Sequence, residues 1–175
     1  MAQTKTKIVL DADIVIHFMK GDCFTLLLEL FPKYQYLILD IVYDELAKNP
    51  QTKAFIDNIT TFMPQKLLKI PFKPSGTTML EYAQLIRKLG KGESACMVYC
   101  YENKDVLGSS NLRDIKDYCS SHGITYLTTL DFLYYAYIRK KLTKEECDEF
   151  IQKVVSKGSK LPITDISKYV CSVVI

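Results

Sequence analysis

The sequence predicts a three-layer α/β/α domain with a central, mainly parallel sheet of four to five strands. Two observations predict it. Short apolar runs alternate with longer stretches of helical periodicity, the order expected of a parallel sheet covered by helices. Acidic residues recur where those runs end or where the next helix begins, the edge at which such sheets bind ligands.

Strands are expected at 7–11 (KIVLD), 36–39 (YLIL), 105–109 (DVLGS) and 124–127 (ITYL), with a weaker one at 67–71 (LLKIP). In the first, Ile8, Val9 and Leu10 form a short buried run, and Ile14, Val15, Ile16 and Phe18 continue its apolar character past two carboxylates. Helices are expected over 22–31, 40–48, 52–62, 77–89, 92–103, 111–121, 129–140 and 143–156. Capping residues support several of these: Asp40 before IVYDELAK, Thr143 with Glu146 three residues on, and Gly123 as a stop after CSSH. The stretch 70–78 (IPFKPSGTT), with two prolines and a glycine, reads as a surface connection. The tail ends in YVCSVVI, whose apolar residues must pack either as an edge strand or in a subunit contact.

Composition bounds the rest. One domain is expected over 1–175, with a core at about 7–142 and a helical and extended addition at 143–175. With 48% hydrophobic residues, 175 residues suffice to bury roughly 70% of the unfolded chain's surface without staples. The net charge of +3 permits nucleic-acid contact but does not define a basic patch. No apolar run approaches the roughly 20 residues needed to cross a bilayer, and MAQTKTK lacks the apolar segment of a secretion signal. A cytoplasmic protein without membrane contact is expected. The six cysteines show no C-x-x-C spacing, and only His17 and His122 accompany them, which disfavours zinc and disulfides alike.

Four acids stand out. Asp11 ends the first strand, Glu45 lies one turn into the helix after YLIL, Glu93 opens GESACMVYCY, and Asp114 lies in the first turn of NLRDIKDY. Each has a local explanation: Asp11 or Asp13 can cap a helix, Glu45 can be an exposed helix residue, and Glu93 and Asp114 suit positive helix N-termini. Glu93 fits its local explanation least, because Ala95, Cys96, Met97, Val98 and Tyr99 make its helix apolar almost all round. Carboxylates brought together repel strongly unless a cation neutralises them, and an all-oxygen set suits Mg²⁺ or Mn²⁺.

At these residues the chain resembles PIN-domain proteins, the fold of many metal-dependent ribonucleases, including toxins of toxin–antitoxin pairs. IVLDADIVIHFMKGD is similar to that family's first motif and LDIVYDELAKN to its second. The segment opening LGKGESACMVYC looks like the subgroup whose third acid is a Glu in a Gly-Glu turn, and Thr128, Thr129, Leu130 and Leu133 follow its closing pattern. The resemblance covers about residues 7 to 142 and departs at one place: Leu112 stands where the family carries a fourth acid, with Asp114 and Asn111 nearest.

The resemblance implies a Mg²⁺- or Mn²⁺-dependent endoribonuclease in which Asp11, Glu45, Glu93 and Asp114 bind metal and carry catalysis. It implies supporting roles for Asp13, Ser110 and Asn111, contacts to RNA from Lys91, Arg113 and Lys116, and an antitoxin protein as partner. A second copy is a further expected partner, with the tyrosine-rich DFLYYAYIRKKL as the pairing face. Two readings compete. A PIN-like module that binds RNA or protein without cutting is favoured by Leu112. The VLDAD opening also suits a haloacid-dehalogenase-like phosphatase, but that class needs a late acidic pair and the chain contains no Asp-Asp dipeptide.

Overall fold

The structure, a computed structural model, describes residues 5–175. Five strands pair in parallel throughout: β1 (Lys7–Leu10), β2 (Gln35–Leu39), β3 (Leu67–Ile70), β4 (Val106–Gly108) and β5 (Tyr126–Leu127), in the spatial order β3-β2-β1-β4-β5. The helices are α1 (Ala12–Lys20), α2 (Phe24–Leu27), α3 (Asp40–Leu46), α4 (Pro50–Phe62), α5 (Gly76–Leu85), α6 (Lys91–Asn103), α7 (Leu112–His122), α8 (Thr129–Ile138) and α9 (Lys144–Ser156). No helix of the described residues is long and apolar enough to cross a membrane.

Helices flank the sheet, so its central strands are buried on both faces and read as continuous apolar runs. Ile8, Val9 and Leu10 of β1 and Leu37, Ile38 and Leu39 of β2 are fully buried. Helix α6 lies against β1, β2 and β4 with α5 and α7 beside it, while α1, α8 and α9 pack on one another. The chain moves outward from β1 through β2 to β3, then returns to lay β4 on the other side of β1. Strand order therefore reverses between β1 and β4. The crevice at the C-terminal ends of those strands is where open parallel sheets bind ligands. There Leu10 is paired with Gly108, and Asp11 N–H donates to Gly108 O at 2.9 Å.

Local rules place most elements within a few residues of expectation. Thr143 and Glu146 form a capping box on α9, and Gly123 ends α7 at φ 65°. Four differences have physical causes. Residues 12–20, absent from the expected helices, form α1, because Asp11 turns the chain and caps it through Ala12 N–H at 2.8 Å. The helix expected over 22–31 is only Phe24–Leu27, followed by tight turns that lead into Pro32, a residue before which helix is disfavoured. Asp40 is the first residue of α3, not its cap, and its Oδ1 accepts from Ile41 N–H and from Phe72 N–H of the loop after β3. The tail forms no edge strand but folds back on the body, with Val170 and Val174 left exposed. Ile166 is buried, Tyr169 Oη donates to Asp131 Oδ1 at 2.7 Å, and Tyr135 Oη donates to Val173 O at 2.6 Å.

Helix α9 is joined to this body by Phe150, whose ring lies 5.0 Å from that of Phe18. A Cβ at Gly21 would fall 2.1 Å from the Phe150 ring, so only glycine fits the end of α1 there.

Candidate functional site

The crevice between β1 and β4 gathers five acids, one after a strand and four from different helices. Asp11 follows β1, Asp13 lies in the first turn of α1, Glu45 comes from α3, Glu93 from the first turn of α6, and Asp114 from the first turn of α7. Asp11 and Glu93 are buried, at 6% and 8% exposure. None of the five forms an ion pair among the described residues.

The backbone and nearby hydroxyls fix most of these oxygens. Asp11 Oδ1 accepts from Ala12 N–H and Oδ2 from Ser109 Oγ at 3.3 Å. Asp13 Oδ1 accepts from Ile14 N–H at 2.6 Å and Oδ2 from Ser110 N–H at 2.7 Å. Glu45 Oε1 accepts from Gly92 N–H at 3.1 Å, and a Cβ on Gly92 would lie 2.8 Å from the other Glu45 oxygen. Asp114 Oδ2 accepts from Asn111 Nδ2 at 2.8 Å. Glu93 is the exception: its Oε1 is buried with no hydrogen-bond partner among the described residues.

Burial without a counter-charge has the expected electrostatic effect. Burial, then the charge of Asp13 and those of Glu93 and Glu45, push Asp11 up to about 8. Burial, then the Asp114 charge, push Glu93 up to about 7. Asp13 is raised as well, by burial, with the Ser110 and Ile14 amides pulling the other way.

The expected residues Asp11, Asp13, Glu45, Glu93, Ser110, Asn111 and Asp114 thus share one neighbourhood. They are near without being closed into a ligand set: among the described residues, no three His, Cys, Asp or Glu side chains stand where together they could hold a metal ion. Leu112 points outward at 44% exposure. Ser109, missed from sequence, is fully buried and stands directly after β4 as Asp11 stands after β1. Its position after the last apolar residues of a strand is a weak signal, because an uncharged serine there does not stand out as Asp11 does.

Among the three expected cationic contacts, Arg113 lines a groove of about 900 Å³ together with Arg87, Lys88, Asp114 and Tyr118. Lys91 and Lys116 are exposed on α6 and α7. Lys20 and Lys48 line a second hollow that Glu45 walls. Cationic side chains therefore stand on two sides of the acidic crevice. All six cysteines carry free thiols.

The fold is PIN-like, an all-parallel, five-stranded α/β domain, and its acids gather at the point where strand order reverses. Among solved structures the chain is similar to one from VapBC2 of Rickettsia felis, determined bound to a DNA fragment from their promoter. The TM-score is 0.52 at 18% identity, and the match covers 69% of this chain and 97% of that one, a likeness of fold. No protein-family model and no curated protein matches the chain.

Proposed function

We propose that this protein is a divalent-metal-dependent ribonuclease that hydrolyses RNA phosphodiester bonds, acting as a cytoplasmic toxin beside an antitoxin protein. The observation that carries the reading is Glu93 Oε1, a buried carboxylate oxygen without a donor inside a cluster of acids without a cation. Mg²⁺ or Mn²⁺ answers both deficits with the all-oxygen ligation such ions prefer. Asp11, Glu93 and Asp114, with Glu45, would hold the ion. Bound there, it would supply Lewis acidity to a phosphate and lower the pKa of a water.

The chain's own groups do the rest. Asp13 fixes the loop after β4 through Ser110 N–H, and Gly92 N–H fixes Glu45. Asn111 takes Asp114 Oδ2, leaving Oδ1 to receive the proton of an attacking water. The groove of Arg87, Lys88 and Arg113 leads up to Asp114 and suits a ribose-phosphate chain, with Lys91 and Lys116 as outlying contacts. The VapBC2 likeness supports action within a two-protein complex. Six free thiols suit a reducing cytoplasm. A second copy of the chain would pair through Tyr137 and the exposed Ile138 of α8.

The Asp11→Asn protein is expected to keep the parent's far-UV circular dichroism, to bind Mn²⁺ weakly by calorimetry, and to cut no RNA. Cleavage retained by that variant contradicts the assignment. Two observations favour a second reading, a PIN-like module that binds without cutting: among the described residues the acids are not closed into a ligand set, and Leu112 faces outward. A folded sample that takes up no Mn²⁺ decides for that module.

A further inference from the structure

Three consecutive residues of the loop after β4 each bond a different carboxylate of the crevice. Ser109 Oγ donates to Asp11 Oδ2 at 3.3 Å, Ser110 N–H to Asp13 Oδ2 at 2.7 Å, and Asn111 Nδ2 to Asp114 Oδ2 at 2.8 Å. This strap has an anchor on its far side. Ser110 Oγ accepts from Thr129 N–H at 2.8 Å and lies 2.8 Å from Thr129 Oγ1, which lies 2.7 Å from His17 Nδ1. Thr129 is fully buried and His17 is 8% exposed.

The protons can be counted. Ser110 and Thr129 bring one hydroxyl proton each. Both are used inside the chain only if Ser110 Oγ–H donates to Thr129 Oγ1 and Thr129 Oγ1–H donates to His17 Nδ1. The imidazole is then neutral, with its own proton on Nε2, as burial requires. The His17 imidazole makes no other hydrogen bond and no ion pair among the described residues. It lies four residues after Asp13 on α1, so the two share one face of that helix. Helix α1 therefore grips Ser110 twice, through its amide by way of Asp13 and through its hydroxyl by way of His17 and Thr129.

We infer that His17 is a positioning residue: through Thr129 it fixes Ser110, and with it the 109–111 strap that orients Asp11, Asp13 and Asp114. Its effect on the strap stands without any metal. Its effect on a bound cation rests on the function proposed above.

The test has two arms, which keep those claims apart. In the metal-free protein, NMR hydrogen exchange is measured at the Ser110 amide in the parent, His17→Leu, His17→Asn and Thr129→Val, with the β1 amides as the reference for global folding. Ser110 N–H is expected to exchange at least about tenfold faster in His17→Leu and Thr129→Val. His17→Asn, whose amide falls near the place of Nδ1, should restore the parent's rate, and the double variant His17→Leu/Thr129→Val should exchange no faster than either single one. Parent-like exchange in both His17→Leu and Thr129→Val overturns the inference, and Thr129→Val alone decides if the leucine variant does not fold. In the second arm, calorimetry should show Mn²⁺ affinity about 10–100-fold lower in His17→Leu and recovered in His17→Asn. A parent that binds no Mn²⁺ sinks the metal reading, while the exchange arm still decides for or against His17.

Discussion

Glu93 is held in the first turn of α6 with one buried carboxylate oxygen that no described residue satisfies. Replacing it by Gln keeps the shape and removes an uncompensated buried charge. The metal-free Glu93→Gln protein is therefore expected to be more stable than the parent at pH 8, by about 1–3 kcal/mol in a urea titration, and to lose the stabilisation Mn²⁺ gives the parent. Equal stability of the two proteins without metal would mean that Glu93 is already satisfied. The pH dependence has a defined sign. Unfolded Asp and Glu titrate near 3.8 and 4.5, whereas the folded Asp11 and Glu93 titrate at about 8 and about 7. Between those limits the native state holds more protons than the unfolded one, so this contribution to stability falls as pH rises from about 4 to about 8. Thermal melts of the metal-free protein should show Tm declining from pH 6 to pH 8, less steeply in Glu93→Gln, and Mn²⁺ raising Tm more at pH 8 than at pH 6. A Tm rising across that range in metal-free buffer would contradict these shifts. Asp11, Glu45, Glu93 and Asp114 were legible in sequence because a charge beside an apolar run is conspicuous. Ser109 was not, since a serine after a strand carries no charge to mark it.

At the scale of elements, the site depends on the start of α6. Its second residue, Gly92, has no side chain to collide with Glu45, and its amide bonds the Glu45 carboxylate. Inside an ordinary helix, Gly to Ala stabilises by about 1 kcal/mol. At Gly92 the added Cβ would meet the Glu45 carboxylate at 2.8 Å and push it aside. Gly92→Ala is expected to fold, to gain little or no stability, and to lose Mn²⁺ affinity about tenfold by calorimetry. Parent-like affinity would place Glu45 outside the site. Most elements were readable from local signals such as the Thr143–Glu146 box and Gly123. Helix α1 was not, because Ile14, Val15, Ile16 and Phe18 also read as the continuation of a strand. Only the cap formed by Asp11 distinguishes the two.

At the scale of the molecule, the crevice exists because the chain returns from β3 across the sheet to place β4 beside β1. Alternating apolar runs predicted a parallel sheet, but nothing local to them states which strands are neighbours. The link between His17 and Thr129, 112 residues apart, is legible only once that order is known. The C-terminal addition was read as helical and extended, and its docking rests on Phe150 against Phe18 and Gly21. Phe150→Ala should cost about 3–5 kcal/mol in urea denaturation, as for other buried aromatics. A cost under about 1 kcal/mol would show α9 to be loosely attached. The most direct measurement for the whole account is anomalous diffraction from crystals soaked in Mn²⁺. A manganese peak in contact with Glu93 Oε1 and an Asp11 oxygen, at about 2.0–2.3 Å, is the expected result. Density for that crevice holding only water while Mn²⁺ saturates the crystal, or a lysine or arginine filling it in the ion's place, would contradict it.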